Sequence, residues 1–273
     1  MFSVLILPLI LFLPCTTSFP LLRAPTAAST SLPSLPAQLA IDLSSASVAS
    51  FACSPLVAVL DKGITMQAAG TAPSLLSSVK TQTSELLKDP VSFLRSPTFL
   101  LLFMVYVVTY MSANSATTLC DFYHTNPAIP VLVASTFFNT VSCIYKDTQF
   151  AKMFGATVDP KVPPLALLLW LARDLTLFLF VFVLPPLVIQ SAPALPELAV
   201  RFSTPILAEA FTTHLHLLGL GLIYTPDKTA MQQVYKANEL FADALVAKTC
   251  RIIPALSIGA SLNHYLDTTS FIS

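Results

Sequence analysis

Charge is what this sequence has least of. Only 10% of its 273 residues are Asp, Glu, Lys or Arg, where an ordinary soluble domain carries about 25%. Fourteen bases and fourteen acids cancel, so the basic excess that a nucleic-acid partner requires is missing. The five cysteines (Cys15, Cys53, Cys120, Cys143 and Cys250) are odd in number and never form a CxxC pair, which excludes a disulfide framework and a zinc site. No P-loop, GxGxxG, HExxH or GxSxG occurs, so the common catalytic motifs are absent. The expectation is therefore no catalytic residue, no metal, no cofactor and no enzyme. What is there instead is apolar surface: 55% of residues are hydrophobic and the mean hydropathy is +0.75. A globular core of this size cannot hide so much, so the solvent is lipid and the chain is an integral membrane protein with the bilayer as its first partner.

The N-terminus has the composition of an address. Residues 2–14, FSVLILPLILFLP, are apolar but shorter than the about 20 residues a spanning helix needs. Small residues follow, up to Phe19, as at a signal-peptide cleavage site. Next comes PLLRAPTAASTSLPSLPAQLA (20–40), rich in Ser, Thr, Ala and Pro, with one arginine, Arg23, and no acid. This pairing resembles the bipartite plastid leader of algae with secondary plastids. Residues 1–37 are accordingly expected to be a targeting leader, and 38–273 the membrane domain.

Apolar segments fall near 40–60, 97–120, 127–145, 164–190, 198–224 and 250–266, and no charge occurs between Arg95 and Asp121. Between them the charges alternate. Loops 61–95, 146–173 and 225–251 each hold four of the bases and, counting Asp174 directly after Arg173, three acids, while the connections 121–127 and 190–197 hold no Lys or Arg. The positive-inside rule puts all three charged loops on one side of the membrane. Arg95, Arg173 and Arg251 are spaced 78 and 78 residues apart, each where a basic loop gives way to an apolar run. Equal spacing with equal charge counts predicts an internal repeat. The expected fold is an all-α membrane protein of six transmembrane helices in three pseudo-repeats of two, at about 38–120, 121–192 and 193–273. Arg173 and Asp174 then mark a membrane border, where the arginine snorkels to water.

Local motifs extend this pattern. RIIPALSIGASLNHY (251–265), ARDLTLFLF (172–180) and LRSPTFLLLF (94–103) occupy matching places, as do SPLVAVLDK (54–62) and THLHLLGLGLIY (213–224). Together with the three-by-two architecture they resemble the mitochondrial carrier family over about residues 40–268. The resemblance implies a solute carrier working by alternating access on a small, anionic metabolite, housed in an organelle inner membrane such as that of the mitochondrion. The leader favours a plastid envelope instead. The family's gate motif (proline, any residue, acid, two residues, base) is not kept. Aligned on Pro55, its acid and base positions are Val57 and Leu60, Asn139 and Val141 replace proline and acid in the second repeat, and His214 and His216 stand there in the third. The alternative reading is a non-transporting relative, a structural or assembly subunit within a larger membrane complex.

The fifth apolar segment is the most polar. Arg201, Pro205, Glu209, Thr212 and His216 fall within about 80° of one another at roughly 100° per residue, so one face suits a solute pathway. An acid inside a span is a functional candidate, and Glu209 leads this set. The competing account pairs Arg201 with Glu197 at the water edge and lets Glu209 and His216 bond neighbouring helices. Asn114 and Ser115, with Asn139 and Thr140, are further pathway candidates, although polar side chains in spans also serve as interhelical glue. Asp42 is expected at the interface.

Overall fold

The computed structural model describes residues 34–155, 162–260, 262, 263, 265 and 266. All of the expected leader except its last four residues, and Asp159 and Lys161 of the second charged loop, lie outside them. Nine α-helices are described: α1 (Leu35–Ala68), α2 (Leu75–Lys88), α3 (Pro90–Arg95), α4 (Pro97–Phe122), α5 (Ala128–Phe154), α6 (Pro164–Phe178), α7 (Leu184–Ser191), α8 (Glu197–Tyr224) and α9 (Ala230–Ile253). A wide π turn, Leu179–Val183, joins α6 to α7, and a second, Pro254–Ala260, extends α9. No strand occurs among the described residues.

The helix starts are written locally. Pro90 and Pro97 open α3 and α4 where a missing N–H costs nothing. Ser74, Asp89 and Ser96 each accept a bond from the first turn of the helix they precede, and Thr229 and Gln232 form a reciprocal capping box at α9. The π turns also have local causes. Pro185 and Pro186 supply no N–H for the carbonyls of Val181 and Phe182, and Pro254 supplies none for Cys250, so the regular ladder is interrupted at those turns.

Five helical segments are long and apolar enough to cross a membrane: Leu35–Ala68, Pro97–Phe122, Ala128–Phe154, Pro164–Ser191 and Glu197–Tyr224. The long helices pack in chain order, α1 on α4, α4 on α5, α5 on α6, α6 on α8 and α8 on α9, and α9 with its π extension returns to α1. The bundle therefore closes on itself around a central space. Its polarity is inverted relative to a soluble protein. Phe137 and Phe211 are 59% and 62% exposed on the outer face, whereas Asp174 and Lys248 are 1% and 2% exposed. In water that outer surface would be an exposed apolar patch of prohibitive size; in a bilayer it is the solvated face. The all-α membrane protein is what the composition predicts.

Three expectations are corrected by the structure. The charged loops are in large part helix: Lys146 lies within α5, Arg173 within α6, and Lys248 and Arg251 within α9. Arg173 and Asp174 are mid-helix and buried at 6% and 1% exposure, not set at a membrane border. A charge ends a span only when it must reach water; one that is paired inside a bundle need not. Arg95, by contrast, is exposed at the end of α3, so equal spacing places the three arginines in unlike surroundings. Asp42, expected at the interface, is fully buried and accepts a bond from Thr118 of α4.

Candidate functional site

The central space is a cavity of about 200 Å³ to which all six packed helices contribute side chains. That is far above the roughly 10–15 Å³ that holds one water. On α4 its wall runs from Leu102 to Thr117, about 22 Å along the axis at about 1.5 Å per residue. The cavity thus follows most of the about 30 Å thickness of a bilayer's hydrocarbon core.

One level of the cavity is ionic. Asp61 of α1 joins two neighbours at once: its Oδ2 lies 2.6 Å from Lys146 Nζ and its Oδ1 2.7 Å from Arg251 Nη1. Glu209 of α8 lies 2.8 Å from Lys248 Nζ and 3.4 Å from Arg251 Nη2, and Thr212 Oγ1 donates to it at 2.9 Å. Arg173 forks onto Asp174 at 2.7 and 3.0 Å, and Thr140 donates to the same carboxylate at 2.8 Å. A third nitrogen of Arg173, Nη1, bonds His216 Nδ1. A guanidinium only donates, so that ring nitrogen accepts. Asp147 lies 2.8 Å from Lys146 with neither oxygen in hydrogen-bonding geometry; the pair is electrostatic. Eight ionised groups result, four acids and four bases, seven of them buried and Arg251 the partial exception.

Zero net charge is what makes this level tolerable. An isolated charge in hydrocarbon costs several kcal/mol, whereas buried ions that are paired and hydrogen-bonded recover much of that cost. Apart from the adjacent pairs Arg173–Asp174 and Lys146–Asp147, the partners lie on different helices, so the network also ties α1 to α5 and α9, and α8 to α9. Packing behind it is tight. A Cβ on Gly219 of α8 would collide with the indole of Trp170. Trp170 is fully buried, donates to the His216 carbonyl at 3.5 Å and lies 5.9 Å from the Arg173 guanidinium. The glycine therefore lets α6 approach α8 closely enough for Arg173 to meet His216.

Beyond the ionic level the lining changes character. Thr109, Tyr110, Ala113, Asn114 and Thr117 of α4, Asn139 of α5, Leu177, Phe178, Val181 and Phe182, Pro205, Ile252, Ala255 and Asn263 carry no acid or base. Both π turns contribute here, and the Ala255 carbonyl accepts a 2.8 Å bond from the Tyr110 hydroxyl. Such irregular turns recur at functional sites and persist in membranes only where something else satisfies the freed backbone groups.

Of the residues singled out in the sequence, Glu209, Thr212, His216, Asn114 and Asn139 all line the cavity, as do Arg173 and Arg251. Arg201 does not; it pairs with Glu197 at 2.7 Å in the first turns of α8. Asp61, Lys146 and Lys248, which the charge pattern assigns to loops, also line the cavity. A signal existed for two of them: Cys53, Val57 and Asp61 recur every four residues and Asn139, Cys143 and Lys146 at four and three, so Asp61 continues a buried helical stripe and Lys146 a cavity-lining one. Among the described residues no group of three or more His, Cys, Asp or Glu is placed to hold a metal ion.

A bundle of apolar helices around a solute-sized cavity with one ionic level is the build of a multi-pass membrane transporter. A family model described as probable citrulline exporter matches residues 45–269, most of the chain. The chain belongs to that family, and so is a membrane solute transporter and not an enzyme. The resemblance to mitochondrial carriers is overturned by this match, and no mitochondrial carrier domain is detected. Two helices per repeat, alternating charge and short connections are generic to helical bundles in membranes; the carrier gate motif, the specific part of the likeness, was the part already missing. No curated protein and no solved structure matches the chain.

Proposed function

We propose that this protein exports citrulline, or a closely similar zwitterionic amino acid, across an organelle membrane. The observation that carries the reading is a balanced cluster of four acids and four bases, all but Asp147 lining a cavity that follows most of the bilayer core. An anionic metabolite would leave a net charge buried in such a site. A zwitterion leaves none, because its carboxylate and ammonium can replace one internal acid and one internal base. Citrulline has that electrical character at neutral pH, and it is the solute for which the family is described.

The mechanism follows from the same network. Without solute, Asp61, Glu209, Lys146, Lys248 and Arg251 close on one another and hold four helices together, α1, α5, α8 and α9. An entering carboxylate competes for Arg251 or Lys248, and the ammonium for Asp61 or Glu209. These exchanges loosen the ties between helices, as alternating access requires. Six membrane crossings are part of the reading: α9 with its π extension completes the closed bundle, although five segments alone satisfy length and apolarity. An organelle membrane is favoured by the leader-like composition of residues 1–37, with a plastid envelope first. Release of labelled citrulline from liposomes containing the purified chain tests the assignment.

A further inference from the structure

The cavity has two chemically different ends, and the amino-acid head uses only one of them. We propose that the uncharged end selects the solute by its tail, accepting a neutral hydrogen-bonding tail such as a ureido or carboxamide group and rejecting a cationic one such as that of ornithine or arginine. This rests on the amino-acid export reading above.

The geometry separates the two ends by a solute's length. On α5, Lys146 and Asn139 share one face seven residues apart, about 10 Å along the axis. On α8, Glu209 and Pro205 are one turn apart, and on α6 the lining passes from Arg173 and Asp174 to Phe178 within five residues. A head held between Arg251 and Asp61 therefore directs its tail toward Asn139, Thr109 and Tyr110. Stacked Phe178 and Phe182, 5.6 Å apart, offer an apolar wall to methylene groups on the way.

Hydrogen-bonding capacity is available at that end. Asn139 Oδ1 accepts from Thr109 at 2.9 Å, and its NH₂ has no partner among the described residues. The Tyr110 hydroxyl spends its proton on Ala255 and, beside Cys53, retains a lone pair for a tail N–H. Farther along, Asn114 and Asn263 bond each other reciprocally at 3.0 and 2.8 Å. A ureido or carboxamide group both donates and accepts, and this array answers both. An ammonium or guanidinium finds no carboxylate lining this half. Asp42, the acid on α1 nearest Asn114 in the bonded network, is buried between α1 and α4 and does not line the cavity. A buried cation without a counter-charge is strongly disfavoured, and sites built from polar groups discriminate steeply against a mismatched tail.

The test is competition on the purified full-length chain, read in two ways. Unlabelled citrulline, glutamine, ornithine and arginine compete against labelled citrulline flux in liposomes, and each is also added to the detergent-solubilised protein to measure thermal stabilisation. Citrulline and glutamine should compete and stabilise, with ornithine and arginine weaker by about tenfold or more. In Asn139→Asp, which places a carboxylate at the uncharged end, ornithine and arginine should gain about tenfold or more relative to citrulline. Asn139→Leu should weaken citrulline without admitting ornithine. Citrulline flux with equal competition by ornithine in the parent would overturn tail selection while leaving export intact. Neither flux nor stabilisation by any of the four would remove the export reading and this inference with it.

Discussion

Replacing Glu209 by Gln removes one carboxylate from the middle of the bundle and leaves its shape unchanged. The structure says which cation suffers. Arg251 keeps Asp61 at 2.7 Å, but Lys248 has Glu209 as its bonded carboxylate and is 2% exposed. The variant thus strands a buried ammonium, the situation in which breaking a pair costs about 3–5 kcal/mol. For a chain of this size each kcal/mol moves the melting temperature by about 2–4 °C, so a fall of roughly 6–20 °C is expected. Thermal unfolding of the purified protein in detergent measures it. The double variant Glu209→Gln, Lys248→Met removes both charges and should recover about 2 kcal/mol or more of the loss, because what destabilises is the unpaired charge and not the missing pair. A single variant that melts within about a degree of the parent, or a double variant no more stable than the single, would refute the assignment of Lys248 and Glu209 as a dependent buried pair. Both variants should fail to move citrulline.

Other expectations follow from the packing and the topology. Gly219→Ala forces a Cβ into the Trp170 indole and should cost about 1–3 kcal/mol in thermal unfolding; parent-like stability would show that α6 and α8 are not so close. In a background free of native cysteines, single cysteines at Asn126 and Pro193 should label from one membrane face and those at Lys80 and Lys228 from the other. Labelling of Lys80 and Lys228 positions from opposite faces would contradict the six-crossing arrangement. A reporter fused behind residues 1–40 should reach a plastid in a host with secondary plastids and be diverted when Phe19 is replaced by Ala; delivery unaffected by that change would contradict the bipartite leader.

Much of the bundle is legible in the sequence, because lipid-facing helices must be apolar along their length. The segments near 97–120, 164–190 and 198–224 fall inside α4, the α6–α7 unit and α8. The polar face of α8 was equally legible: Pro205, Glu209, Thr212 and His216 share a stripe at helical spacing, and all four line the cavity. What hydropathy cannot reveal is a charge compensated across the bundle. Asp61, Lys146 and Lys248 each interrupt an apolar run, and a window average treats each as the edge of a span. Their partners lie 85 residues apart for Lys146 with Asp61 and 39 for Lys248 with Glu209, so only the packed structure shows that they neutralise one another. Arg201 failed for the opposite reason. It lies on the correct face of α8 but in its first turns, where Glu197 is the nearer partner.

On the export reading, paired charges inside the bundle form the passage for a zwitterionic amino acid. The most direct test of that reading is citrulline efflux from liposomes reconstituted with the full-length chain, compared with protein-free liposomes and with the Asp61→Asn variant. Asp61 bonds both Lys146 and Arg251, so neutralising it disturbs the head-binding level at its centre. Saturable efflux in the parent, reduced about tenfold or more in the variant, is the predicted result. Efflux from the parent no faster than from protein-free liposomes, with the protein cooperatively folded and co-migrating with a larger membrane complex, would contradict it.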